Sequence, residues 1–477
     1  MAAPYTVDDL MAWDERIREQ AAAFGLDCFP QEFELCDHNQ MLGYMAYSGM
    51  PSHYPHWSYG KAYEKLKTLY DYGVSGLPYE MVINSSPALA YLMRDNTLLL
   101  QILTIAHVYG HNDFFKNNAT FRSTRPEFTI SSFKAHAARV RRYIEDPSIG
   151  LERVEPIVDA AHALSLQCRR NLAIRKRTIE EVRNDLIEAG RPPADPFQQL
   201  HRRPKHVEPD LRKVPPEPDE DVLLFIRDHN PYLAEWERDL ITIVHEEAQY
   251  FIPQIETKIM NEGWASYWHK QILDHLDLPE GLQLEFIVRH NQVVRPFPGG
   301  LNPYHLGFKV WEDIRRRYDD PTAEERAEIG DPGKNGLQKM FEVRESDRDV
   351  SFLRRHLTEP LLRELDLFEY EARGDDLVVS KVADSESWRD VKALLLQSVG
   401  MATVPVIKVD DADFSGNRTL YLVHAHDGRD LLLEHAEKTL AYLHRLWQRE
   451  VALETLVGGK RTLLAYTDRG FSTKSLK

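Results

Sequence analysis

Two histidines with helical spacing form the first candidate for chemistry in this sequence. His107 and His111 are four residues apart in a strongly apolar segment, so a helix would project both imidazoles from one face. This is the two-histidine half of the HExxH zinc motif, but Val108 stands where that motif carries its general-base glutamate. Such a pair can bind a divalent metal, or it can be two core histidines that hydrogen-bond to their neighbours.

A second candidate lies between residues 246 and 269, where charged side chains alternate with large aromatic residues. Glu262 and His269 are seven residues apart, two helical turns, so a continuous helix places them on one face. A carboxylate and an imidazole among aromatic rings suit a metal site or an acid/base pair inside a core. The alternative is an amphipathic helix whose charged residues face water. Pro253 predicts two helices or one kinked helix here.

A third set of polar residues, Glu155, Asp159 and His162, also shares one face of a predicted helix. The rest of that helix is small and apolar, which is not typical of a fully solvated helix. Helical bundles build metal sites from carboxylates and imidazoles on facing helices. The three sets together therefore favour a polar, metal-binding centre, and the third leaves open a di-metal carboxylate site. A core of histidines satisfied by carboxylates, with no metal, is the competing interpretation.

The surrounding pattern predicts an α+β protein with a large, mainly α-helical body over residues 1–372 and a smaller domain over 373–477. Helical periodicity is clear over residues 7–25 and again from Ala88 onward. A charged, proline-rich stretch near 190–220 indicates an exposed connection. The C-terminal domain has the predicted order β-α-β-β-α-β, which is the split βαβ pattern of ferredoxin-like domains.

The composition bounds the environment and the partners. Hydrophobic residues make up 43% and charged residues 28% of the 477 residues, which is typical of soluble globular proteins. The net charge of −16 argues against general affinity for nucleic acid or anionic membranes. No apolar run reaches the ~18 residues that span a bilayer, and no secretory signal is visible. The three cysteines, Cys28, Cys36 and Cys168, are too few for a disulfide framework. We therefore expect a cytoplasmic protein without membrane insertion or a nucleic-acid partner.

Several segments of the chain resemble the stage V sporulation protein R (SpoVR) family, and the resemblance covers nearly the whole length. The matching segments are YPHWSYGK (54–61), VINSSPALAYLM (82–93), HVYGHNDFFKNN (107–118), IETKIMNEGWASYWH (255–269) and NPYHLG (302–307). His245 departs from the family pattern, in which Arg is usual. With Gln249 in the place of a second histidine, this departure argues against a metalloprotease HExxH motif that begins at His245.

The resemblance implies a physiological setting. It points to formation of the spore cortex, a peptidoglycan layer, or to stress and stationary-phase physiology. It also implies a serine protein kinase system as a partner. Two functions of different classes follow: a metal-dependent, hydrolase-like enzyme of the gluzincin (zincin-like) type, and a non-enzymatic regulatory or adaptor protein whose His/carboxylate cluster is structural.

The stretch NEGWASY further resembles the segment that carries the third zinc ligand, a glutamate, in gluzincin peptidases. On that resemblance, His107, His111 and Glu262 form a His₂Glu site for a divalent metal, which we expect to be zinc. His269 would be a fourth ligand or a group that supports the ligands. A catalytic carboxylate would have to replace the glutamate missing at position 108, and the candidates are Glu246, Glu247 and Asp113.

Overall fold

The computed structural model describes residues 5–72, 78, 80–170, 174–190, 210, 212–296, 300–330, 333–373, 376–382 and 387–476. The chain divides into two compact units, of which the first comprises residues 1–141 and 250–403 and the second residues 142–249 and 404–477. Both units are therefore discontinuous in sequence. The predicted boundary between residues 372 and 373 falls inside the first unit.

The described residues form helices and short strands in the following chain order. The first part contains α1 (Val7–Ala23), β1 (Gln31–Cys36), α2 (His38–Ala46), α3 (Trp57–Asp71), β2 (Glu80–Ile83), β3 (Ala88–Met93), α4 (Leu98–Asn117), α5 (Thr129–Glu145), α6 (Leu151–Ala163), α7 (Ile179–Ala189), α8 (Val222–His229) and α9 (Glu235–Glu256). It continues with α10 (Lys258–His275), α11 (Glu280–Val293), α12 (Pro303–Asp319), α13 (Ala323–Ile329), α14 (Gly336–Ser346), α15 (Asp349–His356), α16 (Glu359–Glu364), β4 (Phe368–Arg373), β5 (Asp376–Val382), α17 (Trp388–Gln397), β6 (Ile407–Phe414), β7 (Thr419–His424), α18 (Leu433–Trp447), β8 (Val451–Val457), β9 (Lys460–Thr467) and β10 (Gly470–Ser475). The predicted α+β class is confirmed. Among the described helices, none combines the length and apolar character needed to cross a bilayer.

A three-stranded sheet of order β1-β3-β2 precedes the central helix of the first unit. Strand β3 pairs in parallel with β1 and antiparallel with β2. The predicted helix from Ala88 is therefore wrong over its first six residues, which form β3, and α4 begins only after Thr97 caps it. A short apolar run does not distinguish strand from helix by itself, and here pairing with β1 and β2 decides the structure.

The core of the first unit surrounds α4 and α10, which are buried on nearly all sides. Large side chains from α10 and α12, including Trp264, Trp268 and Trp311, fill the space around them. The helices also approach closely at glycines. A Cβ added to Gly110 of α4 would lie 2.6 Å from Cα of Ala265 in α10. These two helices are therefore in backbone contact at this level.

The junction of α9 and α10 confirms that the segment around Pro253 forms two helices. The break occurs four residues after the proline, at Thr257, whose hydroxyl donates to the Pro253 carbonyl at 2.7 Å. Thr257 does not cap α10 with its side chain. Instead, the carboxylate of Asp349 accepts the backbone N–H groups of Ile259 and Met260, each at 2.9 Å. A side chain distant in sequence thus caps the helix that carries Glu262.

The second unit contains a five-stranded sheet of order β10-β9-β8-β7-β6. Its strands are antiparallel neighbours except for β7 and β8, which are parallel and joined through α18. The predicted ferredoxin-like arrangement is not confirmed, because β5 pairs with β4 in a separate hairpin and not with this sheet. Only two residues separate β4 from β5, and so short a connection favours local pairing.

The predicted exposed connection near residues 190–220 falls largely outside the described residues. Before it, the charged segment forms α7. Thr178 and Glu181 cap the N-terminus of this helix with a capping box. After it, residues 212–221 lead into α8. Asp219 and Val409 of β6 each donate a backbone N–H to the backbone carbonyl of the other. The segment before α8 is therefore fixed to the sheet of the second unit by a backbone contact.

Candidate metal centre

Four side chains from three elements of the first unit meet at one point. Glu80 comes from β2, His107 and His111 from α4, and Glu262 from α10. One potential ligand atom of each lies within 4.8 Å of those of the other three. Within the described part of the chain, no other group of three or more such side chains gathers in this way. We refer to these four residues as the His/Glu cluster.

Both histidines turn the same ring nitrogen toward the carboxylates. His107 Nε2 lies 3.1 Å from Glu80 Oε1 and 3.8 Å from Glu262 Oε2. His111 Nε2 lies 3.7 Å from Glu80 Oε1 and 3.4 Å from Glu262 Oε2. Each carboxylate therefore reaches both imidazoles. This convergence of nitrogen and oxygen donors matches the ligand types of a catalytic divalent-metal site.

The opposite nitrogen of each imidazole is held from behind. His111 Nδ1 lies 2.8 Å from Asn261 Oδ1, and His107 Nδ1 lies 2.8 Å from His269 Nδ1. In metalloproteins the ligand histidine usually donates its second N–H to a supporting group, which fixes the ring and its tautomer. The two imidazoles are thus oriented as metal ligands would be.

Burial of the cluster tests whether a cation fits it. The side chains of His107 and His111 are 0% and 5% exposed, and those of Glu80 and Glu262 are 9% and 19% exposed. Oε2 of Glu80 is buried, and no described donor gives it a hydrogen bond. A buried carboxylate oxygen without a donor is costly unless a cation compensates it. The donor set and this oxygen therefore fit a bound divalent metal.

The charges of the cluster are strongly linked. Burial raises the pKa of both glutamates, but the contacts with His107 and His111 outweigh it, so that both pKa values are lowered. Burial likewise lowers the pKa of His111, but hydrogen bonds from its ring to Glu262 and Glu80 raise it to about 10. Without a metal, the two carboxylates therefore favour a proton on His111. A cation that binds here has to displace that proton.

Glycines beside two residues of the His/Glu cluster fix the spacing between the helices. Gly110 precedes His111, and Gly263 follows Glu262. A Cβ on Gly263 would lie 2.3 Å from the carbonyl carbon of Gly307 in α12. No side chain fits at that contact without displacing backbone. The position of Glu262 relative to the histidines thus depends on a glycine contact made one residue away.

The structure gathers three of the four predicted metal ligands and places the fourth behind them. His107, His111 and Glu262 belong to the cluster, whereas His269 contacts His107 from the side opposite Glu80 and Glu262. Sequence reasoning missed Glu80. It is a single carboxylate at the start of a four-residue strand, with no spacing relation to either histidine. No sequence signal of the kind used for the other ligands could have found it.

The predicted catalytic carboxylates are not part of the His/Glu cluster. Glu246 is exposed and Glu247 buried, on the portion of α9 that belongs to the second unit. The preceding His245 instead pairs with Asp221, with 3.0 Å between Nε2 and Oδ2. No contact tests the catalytic role of the two glutamates, which stays a prediction.

Asp113 and the third polar set (Glu155, Asp159 and His162) contact residues outside the His/Glu cluster. The Asp113 carboxylate contacts the Arg344 guanidinium at 2.6 Å and accepts the Trp264 indole N–H at 2.9 Å. Helix α6 packs against α18 in the second unit, so the structure does not join its polar residues to the cluster. None of the three belongs to the group of ligand-type side chains that the described residues gather, and the di-metal site stays a prediction.

The fold and the site define the class: an α+β protein with a buried cluster of two histidines and two glutamates that could hold a metal ion. The family model described as SpoVR like protein matches residues 4–404, and the one described as SpoVR-like C-terminal domain matches residues 405–458. The chain belongs to the SpoVR-like family. The boundary between the two matches lies within one residue of the point where the chain enters the second unit for the last time.

A relative in Escherichia coli (strain K12) extends this assignment over almost the whole chain. It is named "Uncharacterized protein YcgB" and is 34% identical over 473 residues, which cover 94% of this chain and 92% of the relative. No solved structure matches the chain significantly.

Proposed function

We propose that the protein is a metal-dependent, hydrolase-like enzyme whose metal ligands are His107, His111 and Glu262. The observation that carries this proposal is the convergence of four donor side chains within 4.8 Å in a buried setting. Two imidazoles and a carboxylate form the donor set of zinc hydrolases, which supports zinc as the metal. Such a metal lowers the pKa of a bound water and polarises a substrate carbonyl.

Glu80 supplies the carboxylate that the HxxxH helix lacks. Position 108, where a zincin carries its general base, is a buried valine. Glu80 reaches the same imidazoles from β2, with its Oε1 3.1 Å from His107 Nε2. We propose it as the group that accepts a proton from the attacking water, in preference to Glu246 and Glu247. A sheet beside an HxxxH helix, followed by a helix with a glutamate ligand, supports a zincin-like arrangement of the first unit.

Metal analysis of native protein tests the proposal. Protein purified without an affinity tag or chelator should hold close to one equivalent of zinc or another divalent ion. His111→Ala should lose it, while His305→Ala, at a half-buried histidine of α12 outside the cluster, should retain it. Glu80→Gln should keep most of the metal and lose the in-cell function. Metal-free wild-type protein whose thermal stability does not change when zinc is added would overturn the proposal.

The burial of the cluster favours a second candidate function. Imidazoles that are 0% and 5% exposed offer a substrate little access, and on this second proposal the metal holds together a non-enzymatic regulatory protein. On that alternative, His111→Ala lowers stability and function together, whereas Glu80→Gln leaves the in-cell function intact. The Glu80 variant therefore separates the two proposals.

Family membership supports a setting for either function. We propose that the protein acts in spore cortex formation or in stress and stationary-phase physiology, together with a serine protein kinase system. Co-purification with such a kinase from a native host tests the partner. If a strain that lacks the SpoVR-like protein also lost the kinase, but the two proteins did not co-purify, the link between them would be limited to shared regulation.

A further inference from the structure

A row of three hydrogen-bonded histidines leads away from the His/Glu cluster. His107 Nδ1 lies 2.8 Å from His269 Nδ1, and His269 Nε2 lies 2.8 Å from His290 Nδ1. The three rings come from α4, α10 and α11. His107 and His269 are fully buried, and His290 is 6% exposed. We call these three residues the histidine row.

Each contact in the row needs one donor and one acceptor. A neutral imidazole carries a single N–H, so a nitrogen that donates leaves the other to accept. His269 contacts a histidine through both of its nitrogens. If it accepts from His107, it must donate to His290, and if it donates to His107, it must accept from His290. The row can therefore run in either of two directions.

The surroundings keep the outer two rings neutral. Burial lowers the pKa of His269 well below its ordinary value, and the neighbouring His107 and His290 lower it further. Burial and the nearby Lys270 lower the pKa of His290 to about 4. Both contacts of His269 can form with a neutral ring, so the two directions of the row differ in the positions of its protons.

We infer that His269 and His290 are positioning residues, which fix the tautomer and the ring orientation with which His107 presents Nε2 to a metal. This inference rests on the proposed function. With a cation at Nε2, the proton of His107 has to lie on Nδ1, which then donates to His269 Nδ1. His269 carries its proton on Nε2 and donates to His290 Nδ1. Metal binding thus selects one direction for the whole row.

The second imidazole of the cluster needs no such row. Its Nδ1 faces the carbonyl oxygen of the Asn261 side chain, which can only accept. His111 therefore keeps its Nδ1 proton in either state, and metal binding displaces only the proton on Nε2. His107 is the ligand whose tautomer its support does not determine in advance. The effect of the row should accordingly be specific to His107.

Zinc affinity of row variants tests the inference. We expect His269→Phe to weaken zinc binding by about 10–100-fold, because His107 loses its acceptor. His269→Asn keeps an acceptor oxygen near the position of Nδ1 and should lose much less. His290→Phe, which does not touch the cluster, should still weaken binding by about 10-fold. His305→Phe is the matched control and should bind as the wild type does. The affinities are measured by competition with a chromophoric chelator.

A second readout separates positioning from general damage to the fold. In protein labelled with ¹⁵N-histidine, zinc should move the ring nitrogens of His290 to those of a tautomer protonated on Nε2. His269→Asn keeps an acceptor for His107 but removes the imidazole that connects His107 to His290. We therefore expect the response of His290 to zinc to shrink in this variant. This readout remains available if the phenylalanine variants fail to fold.

The outcomes distinguish this inference from the proposed function. If the wild type binds no zinc, the proposed function fails and the inference fails with it. If the wild type binds zinc, but folded His290→Phe and His269→Phe bind within about twofold of it, the inference alone is overturned. An unchanged His290 spectrum on zinc addition to the wild type would overturn it as well.

Discussion

At the scale of single residues, the His/Glu cluster is a balance between burial and mutual attraction. Burial alone would discharge its carboxylates and imidazoles, and the pairing of opposite charges prevents this. Breaking such a pair leaves an uncompensated buried charge, which is far costlier than the loss of a surface charge. Substitutions that keep shape and remove charge are therefore the most informative ones at this site.

Glu262→Gln is the first prediction at this scale. The change keeps the shape of the side chain and removes its charge, so the metal should be lost while most of the fold is kept. Loss of its carboxylate also removes the strongest contribution that raises the pKa of His111. Metal content checks the loss of the metal, and thermal unfolding checks that the fold is kept. Glu364→Gln, at an exposed carboxylate, is the control. A variant that binds metal as tightly as the wild type would exclude Glu262 as a ligand.

At the scale of elements, the contacts between α4, α10 and α12 decide where His107, His111 and Glu262 lie. The helices meet through glycines next to His111 and Glu262, so the geometry of the His/Glu cluster and the packing of the helices are coupled. The cap of α10 is also supplied from outside the helix, by Asp349 of α15. Distant parts of the chain thereby set the position of Glu262.

Gly263→Ala tests the coupling between packing and the site. The added methyl group would lie 2.3 Å from the backbone of Gly307, so the helices have to separate. We expect a loss of about 1–3 kcal/mol in the free energy of unfolding, together with weaker metal binding. Gly281→Ala in α11 is the matched control, because its Cβ meets nothing within 4 Å. Equal effects of the two substitutions in urea unfolding would contradict the prediction.

The cap of α10 predicts a pH dependence of stability. Burial raises the pKa of Asp349 from 3.8 to about 7 against its two backbone donors, and Glu256 and Glu262 add to the rise. Between these values the folded protein binds more protons at this residue than the unfolded chain does. The contribution of Asp349 to stability therefore falls as the pH rises through that window.

Asp349→Asn removes this titration and makes the effect measurable. We expect the destabilisation caused by the substitution to be smaller at about pH 8 than at about pH 5, in urea unfolding of metal-free protein. The difference between variant and wild type cancels the contributions of the other titrating groups. A destabilisation that grows over the same interval would show that the pKa of Asp349 is lowered in the folded protein.

At the scale of the whole molecule, the two units are each assembled from separate parts of the chain. Residues near 190–220 and near 375 have the composition of exposed connections, whereas α4 and α10 are buried on nearly all sides. Limited proteolysis should therefore cut in one of these two connections first. N-terminal sequencing or mass spectrometry of the first fragments checks this. An earlier cut within 95–118 or 245–270 would contradict the assignment of the core.

Much of the site could be predicted from the sequence where the relation between residues is local. His107 and His111 share a helix face because four residues make about one turn, a property of the helix alone. Pro253 predicted a break in this segment, but α9 runs through the proline and ends only at Glu256. The segment NEGWASY pointed to Glu262 through its resemblance to known ligand stretches. The α+β class also followed from periodicity along the chain.

Tertiary structure alone decided which elements meet. Glu80 reaches the histidines because β2 pairs with β3 in the register that sets Glu80 opposite Leu92, ahead of α4. The polar face of α6 is as regular as that of α4, yet α6 packs against α18, and none of its polar residues belongs to the His/Glu cluster. Strand β5 likewise joined β4 instead of the five-stranded sheet. Helical spacing depends on neighbouring residues, whereas strand pairing and the convergence of side chains depend on contacts between residues far apart in the chain, which periodicity does not encode.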